Sequence, residues 1–148
     1  MEQLNNIVDL LPYGPGFRFV DRITHLDEKT IVGEFRFDPG SYFYQDHFPD
    51  HPVTPGVILT ECMAQISLVC QGIYLISKED NGVPVRFAFS ESEMQFLLPV
   101  SPGERVRVEG TVEYFRFNKL KTKAKMYNNN GELVCQGILS GMILSTKS

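Results

Sequence analysis

The stretch His47-Phe48-Pro49-Asp50-His51-Pro52-Val53-Thr54-Pro55-Gly56-Val57-Ile58-Leu59-Thr60-Glu61 leads from a proline-set loop into the longest apolar segment of the chain. Each of Pro49, Pro52 and Pro55 fixes φ and disfavours helix in the residue before it, so His47 sits on a rigid, extended loop. After Pro55 nothing blocks a helix, and Gly56 to about Ile73 is apolar nearly all round, with Glu61 the only formal charge from Pro52 to Ser77. Thr60, Gln65, Ser67 and Gln71 interrupt that segment too often for a membrane span. A helix that is apolar on every side has to be covered on every side.

The flanking sequence predicts what covers it. Thr30 to Phe37 alternates, with Ile31, Gly33, Phe35 and Phe37 on one face. Glu104 to Tyr114 does so more strictly, Val106, Val108, Gly110, Val112 and Tyr114 opposing Arg105, Arg107, Glu109, Thr111 and Glu113. Leu120, Thr122, Ala124 and Met126 alternate with a row of lysines from Lys119 to Lys125, which reads as the solvated face of a strand rather than a docking patch for an acidic partner. Asn128-Asn129-Asn130-Gly131 then supplies turn residues before Leu133 to Leu144. Upstream, Leu4 to Leu11 predicts a short helix ended by Pro12, and strand signals run from Phe17 to Thr24 after the Gly14-Pro15-Gly16 loop. The expected class is α+β: one long central apolar helix wrapped by a curved antiparallel sheet, in a single domain over residues 1–148. An α+β sandwich with a peripheral helix is the competing layout, and it would leave one side of Val57 to Ile73 in water.

Composition excludes several function classes. The chain is 43% hydrophobic and 22% charged with a net charge of −4, which suits a globular protein and argues against a general nucleic-acid binder. Three cysteines, Cys62, Cys70 and Cys135, are an odd number; Cys62 and Cys70 fall in the apolar segment and read as core, which fits a reducing cytoplasm. Met1 to Leu11 has neither the positive start nor the continuous apolar run of a secretion signal. No nucleophile elbow, phosphate loop or dinucleotide fingerprint is present.

The chemistry concentrates at the loop and helix start. The amides of Gly56 and Val57 open a helix and lack intrahelical acceptors, so they could hold a developing oxyanion, and the missing Cβ of Gly56 would let a carbonyl approach. Glu61, one turn further in, gains a raised pKa if desolvated and stays protonated as a general acid. An imidazole base, an amide cradle and a carboxylic acid together suit proton abstraction beside a carbonyl with loss of a hydroxyl. Taken singly, Glu61 reads equally as a buried carboxylate with a structural partner, and His47 as a loop histidine capping a carbonyl. A metal set of Asp46, His47, Asp50 and His51 is disfavoured, because the prolines forbid the helix that would align the two histidines. His25 reads as a surface residue. Phe87 and Phe89, which alternate with Arg86, Ala88 and Ser90, are either ordinary core or the wall of a substrate tunnel.

The loop and helix resemble those of the 3-hydroxyacyl-acyl-carrier-protein dehydratases of the FabZ type, which have the hotdog fold. His47 to Pro52, Pro55-Gly56-Val57 and Glu61-Cys62-Met63-Ala64-Gln65 carry the resemblance, as does the histidine-to-glutamate spacing. It extends through Leu10-Leu11-Pro12, Phe19-Val20-Asp21-Arg22, Phe96, Pro99-Val100, Pro102-Gly103 and Gly131-Glu132-Leu133-Val134. It implies that His47 and Glu61 are catalytic, Glu61 acting across a dimer interface, and that the Gly56 and Val57 amides polarise a thioester carbonyl. Neither a metal nor an organic cofactor is implied. The implied partners are an acyl carrier protein bearing a phosphopantetheine-linked chain and a second copy of this chain, as a homodimer or a trimer of dimers. The reaction implied is dehydration of (3R)-3-hydroxyacyl thioesters to trans-2-enoyl thioesters in the cytoplasm.

Asp50, Thr54 and Leu97-Leu98 depart from the family pattern, in which glycine, methionine and often basic residues stand. Asp50 and the lost basic pair at Leu97-Leu98 point from housekeeping fatty-acid synthesis towards a specialised pathway such as polyene or pigment assembly, while Glu61, where dehydratase-isomerases usually have aspartate, speaks for plain dehydration. A hotdog acyl thioesterase and a non-catalytic acyl-binding subunit are the alternatives. A helix apolar all round and a site completed by two chains both call for a second subunit.

Overall fold

The computed structural model describes residues 2–77 and 85–145. Its centre is a helix that begins at Gly56, directly after Pro55, and runs as α over Gly56–Ala64, as π over Gln65–Cys70 and as α again over Gln71–Ser77. It thus extends one turn beyond Ile73, where the apolar pattern weakens. Every residue from Cys62 to Ile73 is buried, the polar Gln65, Ser67 and Gln71 included. The segment Gly56–Ile76 is long and apolar enough to cross a membrane, but 78% of it lies inside the protein, as befits a core helix.

Six antiparallel strands wrap it: β1 (Arg22–Leu26), β2 (Thr30–Arg36), β3 (Val85–Phe96), β4 (Arg105–Arg116), β5 (Lys119–Tyr127) and β6 (Leu133–Ser145). Their order across the sheet is β1-β2-β4-β5-β6-β3, so β1 and β3 are its edges. This is the hotdog fold, and the peripheral-helix layout is excluded by the burial of the helix on all its sides from Cys62 to Ile73. That burial also corrects one argument for a second subunit, since the helix is covered by its own chain.

The helix nears the sheet where side chains vanish. A Cβ on Gly110 of β4 would lie 2.8 Å from Ser67 Cβ, and one on Gly33 of β2 would lie 3.1 Å from the Ile66 side chain. Glycine is required there to let helix and strand backbones approach. Around this contact Ile31, Phe37, Val106, Val108, Leu120, Ala124, Met126 and Leu139 are buried, as strand alternation predicts. Tyr114 is the exception. A bulge between Val112 and Tyr114 reverses the alternation, so Phe115 pairs with the buried Leu120 and packs against the core. Tyr114 instead pairs with Lys121 on the outer face, under the Arg116 guanidinium.

The N-terminal helix spans Glu2–Asp9, ending two residues before Leu11, although the Leu10 and Leu11 amides still bond back to Ile7 and Val8. The strand signals at Phe17 mislead, because Pro15–Phe17 is a 3-10 turn and the first strand begins at Arg22. Cys62, Cys70 and Cys135 are free, buried thiols, and burial pushes all three above the usual thiol range.

Candidate functional site

His47 follows the 3-10 turn Tyr42–Gln45 and is gripped from both directions by Val53. The Val53 amide donates to the His47 carbonyl at 2.9 Å, and the His47 ring nitrogen Nδ1 lies 3.0 Å from the Val53 carbonyl. A carbonyl oxygen only accepts, so Nδ1 carries the hydrogen and Nε2 of the neutral ring keeps its lone pair. Phe48 stacks on the imidazole with centroids 4.2 Å apart, which further limits rotation. The proline-framed loop therefore holds one tautomer in one orientation. His51, Asp46 and Asp50 are exposed nearby, and among the described residues no three His, Cys, Asp or Glu side chains are grouped to hold a metal ion.

Glu61 lies on the first turns of the central helix. Burial raises its pKa, and a hydrogen bond from Gln65 opposes the rise. Gln65, fully buried one turn on, donates through Nε2 to Glu61 Oε2 at 3.0 Å and to the Phe17 carbonyl at 2.9 Å. Its Oε1 accepts the Phe19 amide at 2.7 Å. Two backbone partners of opposite polarity leave only one orientation for the side-chain amide.

Glu61 opens into a cavity of about 220 Å³ whose walls include Tyr13, Phe17, Leu68, Phe87 and Phe89. The structure thus brings three residues singled out in the sequence, Glu61, Phe87 and Phe89, around one space. Phe87 is half-buried against the core while Phe89 is 44% exposed. A Cβ at Gly72 of the helix would overlap the Phe87 ring, so this glycine is what lets the ring seat there.

His47, Gly56 and Val57 do not line that cavity. The first helical amide bonds come from Ile58 and Leu59, both to the Pro55 carbonyl. Gly56 and Val57, one residue nearer the helix start, are thus its open donors among the described residues, and the Val57 side chain is exposed. The space beside Gly56 is taken, however: a Cβ there would meet the Phe96 ring at 3.2 Å. The glycine therefore serves the packing of β3 on the helix, and not the approach of a ligand carbonyl from that side.

Two departures from the family pattern are placed by local contacts. Thr54 is buried with its hydroxyl 2.6 Å from Tyr44 Oη, so a polar pair replaces an apolar side chain beneath the loop. Leu97 and Leu98 are exposed beside Gly56 and Thr54. Tyr13 and Phe17 are not among the site residues expected from sequence, because Tyr13 sits beside a Gly-Pro-Gly loop and Phe17 opens a segment with strand composition. The sequence assigns Gln65 no role, although its four-residue spacing from Glu61 on one helix face is a signal that the two side chains meet.

Comparison with known proteins agrees with this architecture. A family model described as the FabA-like domain matches residues 11–139. The 3-hydroxyacyl-[acyl-carrier-protein] dehydratase FabZ of Anoxybacillus flavithermus is 33% identical over 138 residues, covering 92% of this chain and 93% of that protein. The FabZ of Clostridioides difficile is 34% identical over 140 residues, covering 94% and 95%. Among solved structures, the dehydratase heterocomplex ApeI:P of Xenorhabdus doucetiae superposes with a TM-score of 0.76 at 12% identity, covering 94% of this chain and 91% of that one. A thioesterase from Haemophilus influenzae superposes at 0.63 with 16% identity, covering 86% and 80%. At such identities these two show the fold alone, whereas the extent of the family match and of the FabZ relatives shows descent. The chain belongs to the FabA-like family of hotdog dehydratases.

Proposed function

We propose that this protein removes water from (3R)-3-hydroxyacyl thioesters carried on an acyl carrier protein, giving trans-2-enoyl thioesters. The observation that carries the reading is the complementary poise of its two proton-transfer groups. The neutral ring of His47 turns the lone pair of Nε2 outward, because Nδ1 is committed to the Val53 carbonyl, while burial favours the protonated form of Glu61. One base and one acid with opposite demands are what a β-elimination needs.

In the step, His47 Nε2 takes the proton from Cα and the Cα–H electron pair becomes the Cα=Cβ bond. The Cβ–O bond breaks, and Glu61 gives its proton to the departing hydroxyl, which leaves as water. The amides of Gly56 and Val57 stabilise the charge that develops on the thioester oxygen. Since His47 does not line the Glu61 cavity of its own chain, the reacting pair is His47 of one protomer with Glu61 of a second, which makes the working unit a homodimer or a trimer of dimers. Both fatty-acid synthesis and polyene or pigment assembly contain such a step, and the reducing cytoplasm suits three unpaired cysteines.

The test is direct: purified protein given a 3-hydroxybutyryl thioester releases the crotonyl thioester, followed by its absorbance. Release of free 3-hydroxybutyrate instead marks a thioesterase, and the absence of any product marks a binding subunit. The position of His47, fixed in the tautomer a base requires, favours elimination over hydrolysis.

A further inference from the structure

The cavity at Glu61 is walled by four aromatic rings from two directions, Tyr13 and Phe17 from the N-terminal loop and Phe87 and Phe89 from β3. Three of the four are packed against other parts of the fold, and Phe89, 44% exposed, closes the wall from the edge strand. Phe87 seats on Gly72, Phe17 packs edge-on against the buried Phe19 at 5.1 Å, and Tyr13 tilts against Phe17 at 6.0 Å. The backbone of the loop is pinned at Phe17 and Phe19 by Gln65, the same side chain that holds Glu61. Burial, with the Glu61 charge behind it, pushes the Tyr13 phenol up to about 12, so it remains neutral and adds no charge to the wall.

An apolar chain of any kind gains from entering such a space. A flat π-system gains more, because offset and edge contacts between rings add about two- to tenfold in affinity per pair beyond the area they bury. The size also fits: a void of about 150 Å³ accommodates a benzene ring, and this one of about 220 Å³ takes one ring or a short conjugated segment.

We propose that the Tyr13, Phe17, Phe87 and Phe89 cavity binds a planar acyl substituent, an aryl ring or a conjugated segment joined to the carbon that loses its hydroxyl. This rests on the reading of Glu61 as the acid of a dehydration. As Cβ turns from tetrahedral to trigonal, such a substituent becomes coplanar with the new double bond, so an aromatic wall that favours planar groups gains more contact with the transition state than with the bent substrate.

The test compares 3-hydroxy-3-phenylpropanoyl and 3-hydroxynonanoyl pantetheine thioesters, which have the same number of acyl carbons. The expected result is a kcat/KM at least tenfold higher for the aryl substrate, with the preference falling at least fivefold in Phe89→Leu and in Phe17→Leu, each of which still melts cooperatively. Equal or better use of the saturated chain by the wild-type protein overturns the proposal. Should neither thioester be dehydrated, the dehydration reading fails by itself, and calorimetry then decides the slot. Tighter binding of the cinnamoyl than of the nonanoyl thioester upholds it, and equal binding overturns it.

Discussion

Gln65 and Glu61 are joined by a 3.0 Å hydrogen bond in which the buried amide donates and the carboxyl oxygen Oε2 accepts. Because the Phe17 carbonyl and the Phe19 amide fix which end of Gln65 is the donor, Oε2 is kept as an acceptor and a proton on the Glu61 carboxyl belongs on Oε1. In Gln65→Leu the bond that lowers the Glu61 pKa is gone and burial raises it unopposed. Activity that needs the protonated acid holds below its pKa and fades above, so the alkaline limb of kcat moves to higher pH. Melting falls too, since the buried Phe19 amide loses its partner at about 1–3 kcal/mol, with a smaller loss at the part-buried Phe17 carbonyl. A pH profile with an unmoved alkaline limb would show that Gln65 does not act through Glu61.

Glu61→Gln separates catalysis from stability. The folded protein raises the Glu61 pKa, so the stability linked to this group is fully present below the unfolded carboxyl pKa and is lost as pH rises through the folded one. At neutral pH the amide variant melts at or above the wild-type temperature, and the gap closes in acid. Turnover falls about 10²- to 10⁴-fold, as it does in His47→Ala, which gains no stability. Thermal melts from pH 4 to 8 alongside the crotonyl assay check both, and near-normal turnover in either folded variant would remove that residue from the mechanism.

Much of this was legible because the physics is local. Pro55 marks the helix start, the run from Cys62 to Ile73 demands burial, and Val106 and Val108 alternate as a half-buried strand must. What stayed hidden depends on partners remote in sequence. Phe17 to Val20 has the composition of a strand, yet the Phe19 amide is satisfied by Gln65, 46 residues away, and the strand starts at Arg22. Tyr114 was placed inward by strict alternation, and only the pairing with β5 reveals the bulge that turns it out. The turn between β4 and β5 uses Phe117 and Asn118, both with positive φ, where glycine is the usual signal. The Glu61, Phe87 and Phe89 grouping could be guessed at from strand alternation, but the Tyr13 and Phe17 half of the wall arrives from a loop whose path no periodicity encodes.

Gly110→Val tests the contact that sets helix against sheet. Its Cβ would lie 2.8 Å from Ser67 Cβ and 3.4 Å from Ser67 Cα, and a helix backbone atom cannot rotate away. Overpacking of this kind costs about 1–3 kcal/mol. Chemical denaturation should report a loss in that range, and an unchanged midpoint would mean the helix shifts freely over β4.

The sheet edges predict self-association. Strand β3 runs twelve residues along an edge with Phe89 and Phe96 exposed, whereas the opposite edge, β1, is five residues long. A long edge strand bearing exposed aromatics is an unprotected template for pairing. Sedimentation at micromolar concentration should give a dimer or a larger assembly, and an active, stable monomer would contradict both this and a site shared by two chains.

Phe87 and Phe89 face the same cavity but are held differently, and truncation should tell them apart. The Phe87 ring occupies the space left by Gly72 and packs against the core, so Phe87→Ala removes contacts from a site that cannot collapse onto a glycine. Its cost should approach the lower end of the ~3–5 kcal/mol typical of buried phenylalanine. Phe89 is 44% exposed and sits opposite Gly141 on β6, before the bulge that ends this part of β3, so Phe89→Ala should cost under about 1 kcal/mol. In kinetics the order reverses. Loss of a ring that only supports the fold lowers the amount of active protein equally for all substrates, whereas loss of a ring that touches the acyl chain changes the ratio of kcat/KM between short and long 3-hydroxyacyl thioesters. Phe89→Ala should therefore shift that ratio with little change in melting temperature. A large drop in melting temperature with an unaltered ratio would make Phe89 a packing residue and take it out of the substrate wall.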